Sequence, residues 1–294
     1  MRIEVRDVRK RFGPVTALDG VSFDVEPGGR VALVGPNGSG KSTLNRVLMG
    51  LVGCGGRIRI DGHCPFRERV AVARRMAYVP QAAPQLAAPV GDVIGAIARV
   101  RGLERAAIER AARVFDLDLA ALAARPFRSL SGGTKQKLLI ALALAADASL
   151  LILDEPTGSL DARARERLFD RFDALPADTT VLLCSHRFDE LRPLVDQVLQ
   201  LQDGRVVYDG PADAFLARSG LAALDVWADG ADAAAWLAAR GFRRGASGAW
   251  HATVASHAKL PLLAEAAAAL GPALRNLNAR DLEWLELPGA ACHA

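Results

Sequence analysis

The stretch Gly35-Pro36-Asn37-Gly38-Ser39-Gly40-Lys41-Ser42-Thr43 restricts what this chain can fold into more than any other. It fits glycine, four free positions, then Gly-Lys-Ser: a phosphate-binding loop that belongs between a strand and a helix. The flanks agree. Arg30-Val31-Ala32-Leu33-Val34 reads as a short buried strand, and residues 44–49 read as the first turns of a helix that stops at Gly50. Glycines let the backbone turn tightly and bring successive N–H groups close to a polyphosphate, while the following helix points its positive end at the same anion. Lys41 would set a compact ammonium on the β- and γ-phosphates, and the Ser42 hydroxyl would be a ligand for Mg²⁺. Lys41 is one of only five lysines in a chain whose basic residues are otherwise arginines. The loop predicts a bound nucleotide.

Composition narrows the surroundings. At 294 residues and 51% apolar content the chain has room for two domains and a substantial core. The net charge of +4 comes from scattered arginines, with no long or aromatic-interleaved basic run, so a solvated face is expected and no nucleic acid. Cys54, Cys64, Cys184 and Cys292 form no C-x-x-C pair, which predicts reduced thiols in a cytoplasmic compartment. Residues 1–7 alternate charged and apolar side chains, the pattern of a strand and not of a signal peptide. No charge-free apolar run reaches the roughly 18–20 residues that span a bilayer, so membrane association is expected only through a partner.

Along the chain, Ile3, Val5 and Val8, then Val21, Phe23 and Val25, mark short strands ahead of the turn Pro27-Gly28-Gly29. Between them, Phe12 is either a core aromatic or a platform for the base of the nucleotide. Cys54, His63 and Cys64 fit no zinc spacing and lack a fourth ligand, so they read as turn residues. Residues 76–81 read as a buried strand that delivers Gln81, a polar side chain able to reach Mg²⁺ or its waters. Residues 84 to about 128 carry apolar side chains at helical spacing (Ile94, Ile97 and Ala98; Ile108, Ala111 and Phe115), which predicts a helical insertion.

Ser131-Gly132-Gly133 precedes a long apolar helix expected over 137–146. Ser131 suits an N-cap, and the glycines expose N–H groups at a second anion-attracting helix end. Residues 149–153 form an apolar run closed by Asp154 and Glu155, as a fully buried parallel strand would be. Acids at the carboxyl end of a central strand stand where open α/β sheets bind ligands. Neighbouring strand residues point to opposite faces, so the two acids need different roles. Asp154 suits Mg²⁺ ligation and Glu155 suits the base that polarises attacking water. Ser159-Leu160-Asp161 opens another helix. The strand 180–185 then delivers His186, within reach of a γ-phosphate.

In this order, Phe12, the loop 35–43, Gln81, Leu130-Ser131-Gly132-Gly133, Asp154-Glu155, Ser159-Leu160-Asp161 and His186 make residues 1–215 resemble the nucleotide-binding domain of ATP-binding-cassette (ABC) transporters. The resemblance implies an α/β fold: a P-loop NTPase core with an N-terminal antiparallel β subdomain and a helical subdomain at about 84–146. It implies ATP and Mg²⁺ as cofactors and Phe12 as the adenine-stacking residue. It further implies a head-to-tail dimer, with a second copy or a homologous ATPase, in which each ATP lies between one Walker A loop and the partner's Ser131-Gly132-Gly133. Glu155 then activates water, His186 holds the γ-phosphate, Asp161 links the two sites, and membrane permease subunits dock near Gln81. The family's signature commonly ends in Gln, and Thr134 stands there instead.

All four tryptophans (Trp227, Trp236, Trp250, Trp284) lie beyond Val207-Tyr208-Asp209-Gly210-Pro211, marking 216–294 as a separate unit. The pattern there predicts a strand at 224–228, a helix at 231–240, a hairpin through 248–254, a helix at 259–270 and a strand at 274–277. This βαββαβ order predicts a small ferredoxin-like module. His251, His257, Cys292 and His293 read as surface residues. Similar tails occur in bacterial export-class ATPases serving drugs, polysaccharides or copper-enzyme maturation. The expected function is therefore the ATP-hydrolysing subunit of an exporter, cytoplasmic and peripheral to the inner membrane face. An importer ATPase and a soluble ABC ATPase acting on ribosomes or DNA are the alternatives.

Overall fold

The computed structural model describes residues 1–185, 191–219, 221–245 and 248–281. The first strands, β1 (Ile3–Phe12) and β2 (Val15–Val25), pair antiparallel. The alternation read at Val21, Phe23 and Val25 buries those three side chains against the core. Next come β3 (Arg30–Val34), α1 (Lys41–Leu48) and β4 (Gly55–Ile60); β4 pairs antiparallel with β1, giving a three-stranded sheet in the order β2-β1-β4. The helix after the loop starts at Lys41, three residues before the expected start.

The chain continues through α2 (Arg69–Arg74), β5 (Met76–Val79), α3 (Val90–Arg101), α4 (Arg105–Val114), α5 (Leu119–Leu122) and α6 (Gly132–Ala145). The expected helical insertion is present. Ile108 and Phe115 are fully buried at the predicted spacing, with Ala112 in place of Ala111 as the buried alanine between them. Helix α6 begins at Gly132, five residues before the expected start, because Ser131 caps it: its hydroxyl accepts from the Thr134 N–H at 3.2 Å. Helix α2 has no counterpart in the sequence reading. It is six residues long and buries only Val72, too little to leave a periodic signal.

Strand β6 (Leu150–Asp154), helix α7 (Ala162–Asp173) and strands β7 (Thr180–Cys184), β8 (Gln197–Gln202) and β9 (Arg205–Pro211) complete a six-stranded sheet in the order β5-β6-β7-β3-β8-β9. The first five strands run parallel and β9 returns antiparallel to β8. Every residue of β6 and β7 is buried, which is why both read as continuous apolar runs and not as alternations. The register aligns Asp154 with Cys184 and Cys184 with Leu33, so the carboxyl ends of β6, β7 and β3 stand side by side.

The chain divides into two compact units, Met1–Ala212 and Asp213–Ala294. After α8 (Ala212–Ser219), the second unit holds β10 (Leu221–Ala228), α9 (Ala231–Ala239), β11 (Arg243–Arg244), β12 (Trp250–Ala255), α10 (Ser256–Leu270) and β13 (Leu274–Asp281). Its sheet order, β11-β12-β10-β13, is antiparallel throughout, which is the ferredoxin-like arrangement expected from the βαββαβ pattern. Leu224, Val226, Leu237, Phe242 and Leu270 form its core, with Trp236 and Trp250 packed against them. His251 is exposed and its Nδ1 lies 2.6 Å from Asp225. Trp284, Cys292 and His293 and the side chain of His257 lie outside the described residues.

Candidate functional site

The loop 35–43 needs glycine at its first position and again just before Lys41. Gly35 has φ +149°, and a Cβ there would stand 2.2 Å from the Leu201 carbonyl oxygen. Gly40, the N-cap of α1, has φ +108°, and its Cβ would meet the Ala17 carbonyl oxygen at 2.5 Å. Any side chain at either position collides with backbone, which cannot yield as a flexible side chain can. The first bond of the helix runs from the Leu44 N–H to the Gly40 carbonyl. The N–H groups of Lys41, Ser42 and Thr43 therefore have no helical acceptor and form the positive end of α1. Lys41 folds back over the loop, its Nζ donating to the carbonyls of Gly35 at 2.5 Å and Pro36 at 3.0 Å. Burial pulls its pKa below the ordinary lysine value, against the attraction of the Glu155 and Asp154 carboxylates. Ser39 is buried and its hydroxyl has no protein partner among the described residues, a polar atom left inside the loop.

Asp154 ends β6 and is 6% exposed. Desolvation first, and the neighbouring Glu155 second, raise its pKa, opposed by Lys41 and by hydrogen bonds from Tyr78 and Asn45. A carboxylate stripped of water this far, facing an ammonium and the positive end of a helix, is a fitting ligand for a cation. The exposed hydroxyl of Ser42 supplies a second oxygen from the first turn of α1.

Glu155 corrects one detail of the sequence reading. It does not sit on the strand opposite Asp154. It leaves the strand in the left-handed region (φ +49°), with its N–H bonded to the Cys184 carbonyl at 2.8 Å. The turn, and not strand alternation, separates the two acids. The Ser185 hydroxyl donates to the Glu155 carboxylate at 3.0 Å.

Three supporting residues escaped the sequence reading. Asn45, fully buried on α1, donates from Nδ2 to the Cys184 sulfur at 3.0 Å and also hydrogen-bonds Asp154. Tyr78 donates to Asp154, and burial next to that carboxylate pushes its hydroxyl pKa up to about 12. Burial likewise drives the Cys184 thiol far up, so it stays neutral. A polar residue inside an otherwise apolar helix face, as Asn45 is, was the one available signal.

Among the other expected site residues, Phe12 ends β1, 47% exposed, with the Lys10 ammonium 5.0 Å from its ring centre. An exposed aromatic is the arrangement a stacking platform needs, and it is not a core residue. Gln81 is exposed just past β5. Gly132 and Gly133 open α6, and a Cβ on Gly133 would meet the Ser159 carbonyl oxygen at 2.9 Å. From the same helix, Lys137 bonds Asp161 at 2.6 Å, while Asp161 caps α7 by accepting from the Ala164 N–H at 2.8 Å. The pair with Lys137 holds the Asp161 carboxyl below the usual range. The packing thus joins Gly35–Lys41, Asp154 and Glu155 at one end of the sheet, and Ser131–Gly133 with Ser159–Asp161 at α6 and α7. His186 lies outside the described residues. Among the described residues no group of three or more His, Cys, Asp or Glu side chains is placed to hold a metal alone, and no helix is long and apolar enough to cross a membrane.

Comparison with known proteins adds the following. The family model described as ABC transporter matches residues 18–158. The Nod factor export ATP-binding protein I of Cupriavidus pinatubonensis is 35% identical over 240 residues, covering 78% of this chain and 73% of that protein. The Fe(3+) ions import ATP-binding protein FbpC of Streptomyces coelicolor is 40% identical over 226 residues, covering 71% of this chain and 64% of that one. A solved structure of an ATP binding subunit of an ABC transporter matches with a TM-score of 0.67 and 29% identity, over 74% of this chain and 92% of that chain.

Proposed function

This chain belongs to the ABC transporter family as an ATP-hydrolysing, ATP-binding subunit, and from that premise we propose that it drives an exporter formed by separate membrane permease subunits. It acts as a head-to-tail pair, with a second copy or a homologous ATPase, at the inner face of the cell membrane. The observation that carries the catalytic half of this reading is the convergence of Lys41, Asp154 and Glu155 at the aligned carboxyl ends of β3, β6 and β7. Similarity to relatives named for export supports the direction, and FbpC, named for import, is the competing reading.

In this mechanism the free N–H groups at the start of α1 and the Lys41 ammonium take the phosphates. Lys41 exchanges its two loop carbonyls for phosphate oxygens, a stronger acceptor for a cation. Phe12 stacks on the adenine. Ser42, Asp154 and Gln81 would hold Mg²⁺, which supplies charge neutralisation on the phosphates when bound. Glu155, held by Ser185, accepts the proton of the attacking water, and His186 contacts the γ-phosphate. The partner's Ser131, Gly132 and Gly133 close the far side of the nucleotide, since the start of α6 presents another set of free N–H groups. Asp161, fixed by Lys137, carries the state of one site to the other.

Purification of the chain from its native membranes tests this. A stoichiometric integral-membrane partner, with substrate leaving inside-out vesicles' exterior medium for the lumen on ATP addition, is the export result. Accumulation in the opposite sense establishes import. Recovery with ribosomes or DNA, sensitive to nuclease, establishes the soluble reading and removes the permease from the proposal.

A further inference from the structure

A second basic cleft, apart from the nucleotide loop, lies on the first unit between β1, β4 and the segment 64–68. It has a volume of about 910 Å³, the size of a small-molecule site. Arg9, Lys10, Arg11, Arg57, Arg59 and Arg67 line it, against a single acid, Glu68.

Three of these cations are already engaged. Arg9 pairs with Asp7, Arg59 lies 3.9 Å from Glu68, and Lys10 donates to the Gly53 carbonyl at 2.9 Å. The guanidinium groups of Arg11, Arg57 and Arg67 have neither an ion pair nor a hydrogen bond among the described residues. Glu68 is itself engaged, Oε1 with His63 Nδ1 at 2.9 Å and Oε2 with the Cys64 N–H at 2.8 Å. The wall between the charges is apolar, with Val47, Val52 and Phe66, and Phe66 is 58% exposed.

We propose that this cleft binds a phosphorylated small molecule, its phosphate oxygens on Arg11, Arg57 and Arg67 and its ring or apolar body on Phe66 and Val52. Three guanidinium groups without an anionic partner line one cleft, which leaves its positive charge for an incoming anion to neutralise. Their planar forks match phosphate oxygens two at a time. An exposed aromatic beside them supplies the surface that a sugar or base covers. The cleft borders the strand that ends in Phe12 but uses none of the residues assigned to ATP, so the inference stands apart from the ATPase reading.

The test uses the full chain carrying Lys41→Ala, which weakens the phosphate loop, titrated calorimetrically with inorganic pyrophosphate at low salt. One saturable site is expected. Adding Arg57→Ser and Arg67→Ser weakens it at least ~10-fold, Arg57→Lys and Arg67→Lys restore part of the loss, and rising salt weakens binding throughout. Cosedimentation with phosphatidylglycerol vesicles, against phosphatidylcholine ones, separates the two sources of phosphate. Arginine-dependent pyrophosphate binding assigns a soluble ligand, whereas arginine-dependent vesicle binding alone assigns a lipid headgroup. With Lys41 intact, the double serine variant keeps its ATP hydrolysis, showing that it folds. Pyrophosphate affinity and vesicle binding that are both unchanged in the double serine variant, or both absent in its Lys41→Ala parent, overturn the proposal.

Discussion

The Ser185 hydroxyl donates a 3.0 Å hydrogen bond to the Glu155 carboxylate across two neighbouring strand ends. Glu155 is held there in a left-handed backbone conformation that its own side chain does not favour. The contact spans thirty positions of sequence, and it orients the group proposed to activate water.

Glu155→Gln keeps the size and one oxygen for Ser185 but cannot accept a proton. Hydrolysis is expected to fall by roughly 100-fold or more, while ATP binding persists and a nucleotide-bound dimer accumulates. Single-turnover assays with gel filtration measure both. Near-normal turnover would remove Glu155 from the role of base.

Lys41→Ala removes the ammonium that folds over the loop. ATP affinity is expected to drop by about 10–100-fold, the loss of one charge-assisted hydrogen-bonding group. Fluorescent-nucleotide titration reads it. Unchanged affinity would count against the loop as the phosphate site.

Asp154→Asn separates function from stability. Because burial raises the Asp154 pKa in the folded protein, the folded state binds a proton more readily than the unfolded chain. The wild type is therefore expected to lose stability relative to the variant as pH rises from the ordinary carboxylate range through the raised value. At neutral pH without nucleotide the variant should melt a few °C higher, yet hydrolyse ATP poorly. A lower melting point at neutral pH would mean that the hydrogen bonds to Asp154 outweigh its desolvation.

Asp161 caps α7 and pairs with Lys137. Asp161→Ala should lower the melting temperature by a few °C, whereas Asp161→Asn, an equally good cap, should restore most of it. Since the pair lowers the folded pKa, its contribution is present above the usual carboxylate range and fades as pH falls through the lowered value. Equal melting points for the Ala and Asn variants would show that the cap is not what Asp161 contributes.

Much of the candidate site was legible in sequence because the proposed chemistry needs particular residues at short spacing. Gly35, Gly40 and Lys41 lie within one turn of backbone, and Ser131 caps the helix that follows it directly. The buried strands β6 and β7 were legible because burial on both faces leaves an uninterrupted apolar run. Helix α2 was not, since one buried valine makes no period. Glu155 was placed on the strand because alternation is the default there, and only the backbone shows that the chain has already turned.

The sequence by itself therefore marked the candidate phosphate loop, the acid pair, the Ser131-Gly132-Gly133 segment and the βαββαβ order of the second unit. Each depends on neighbouring residues: steric freedom at glycine, capping at serine, hydrophobic period along a strand. Tertiary structure decided what surrounds them. The fully buried Asn45 bonds Cys184 from 139 positions away, Tyr78 and Lys41 meet Asp154, and Lys137 reaches Asp161. These partners lie on elements brought together by sheet order and helix packing. Their energies depend on burial and distance, which no local pattern encodes.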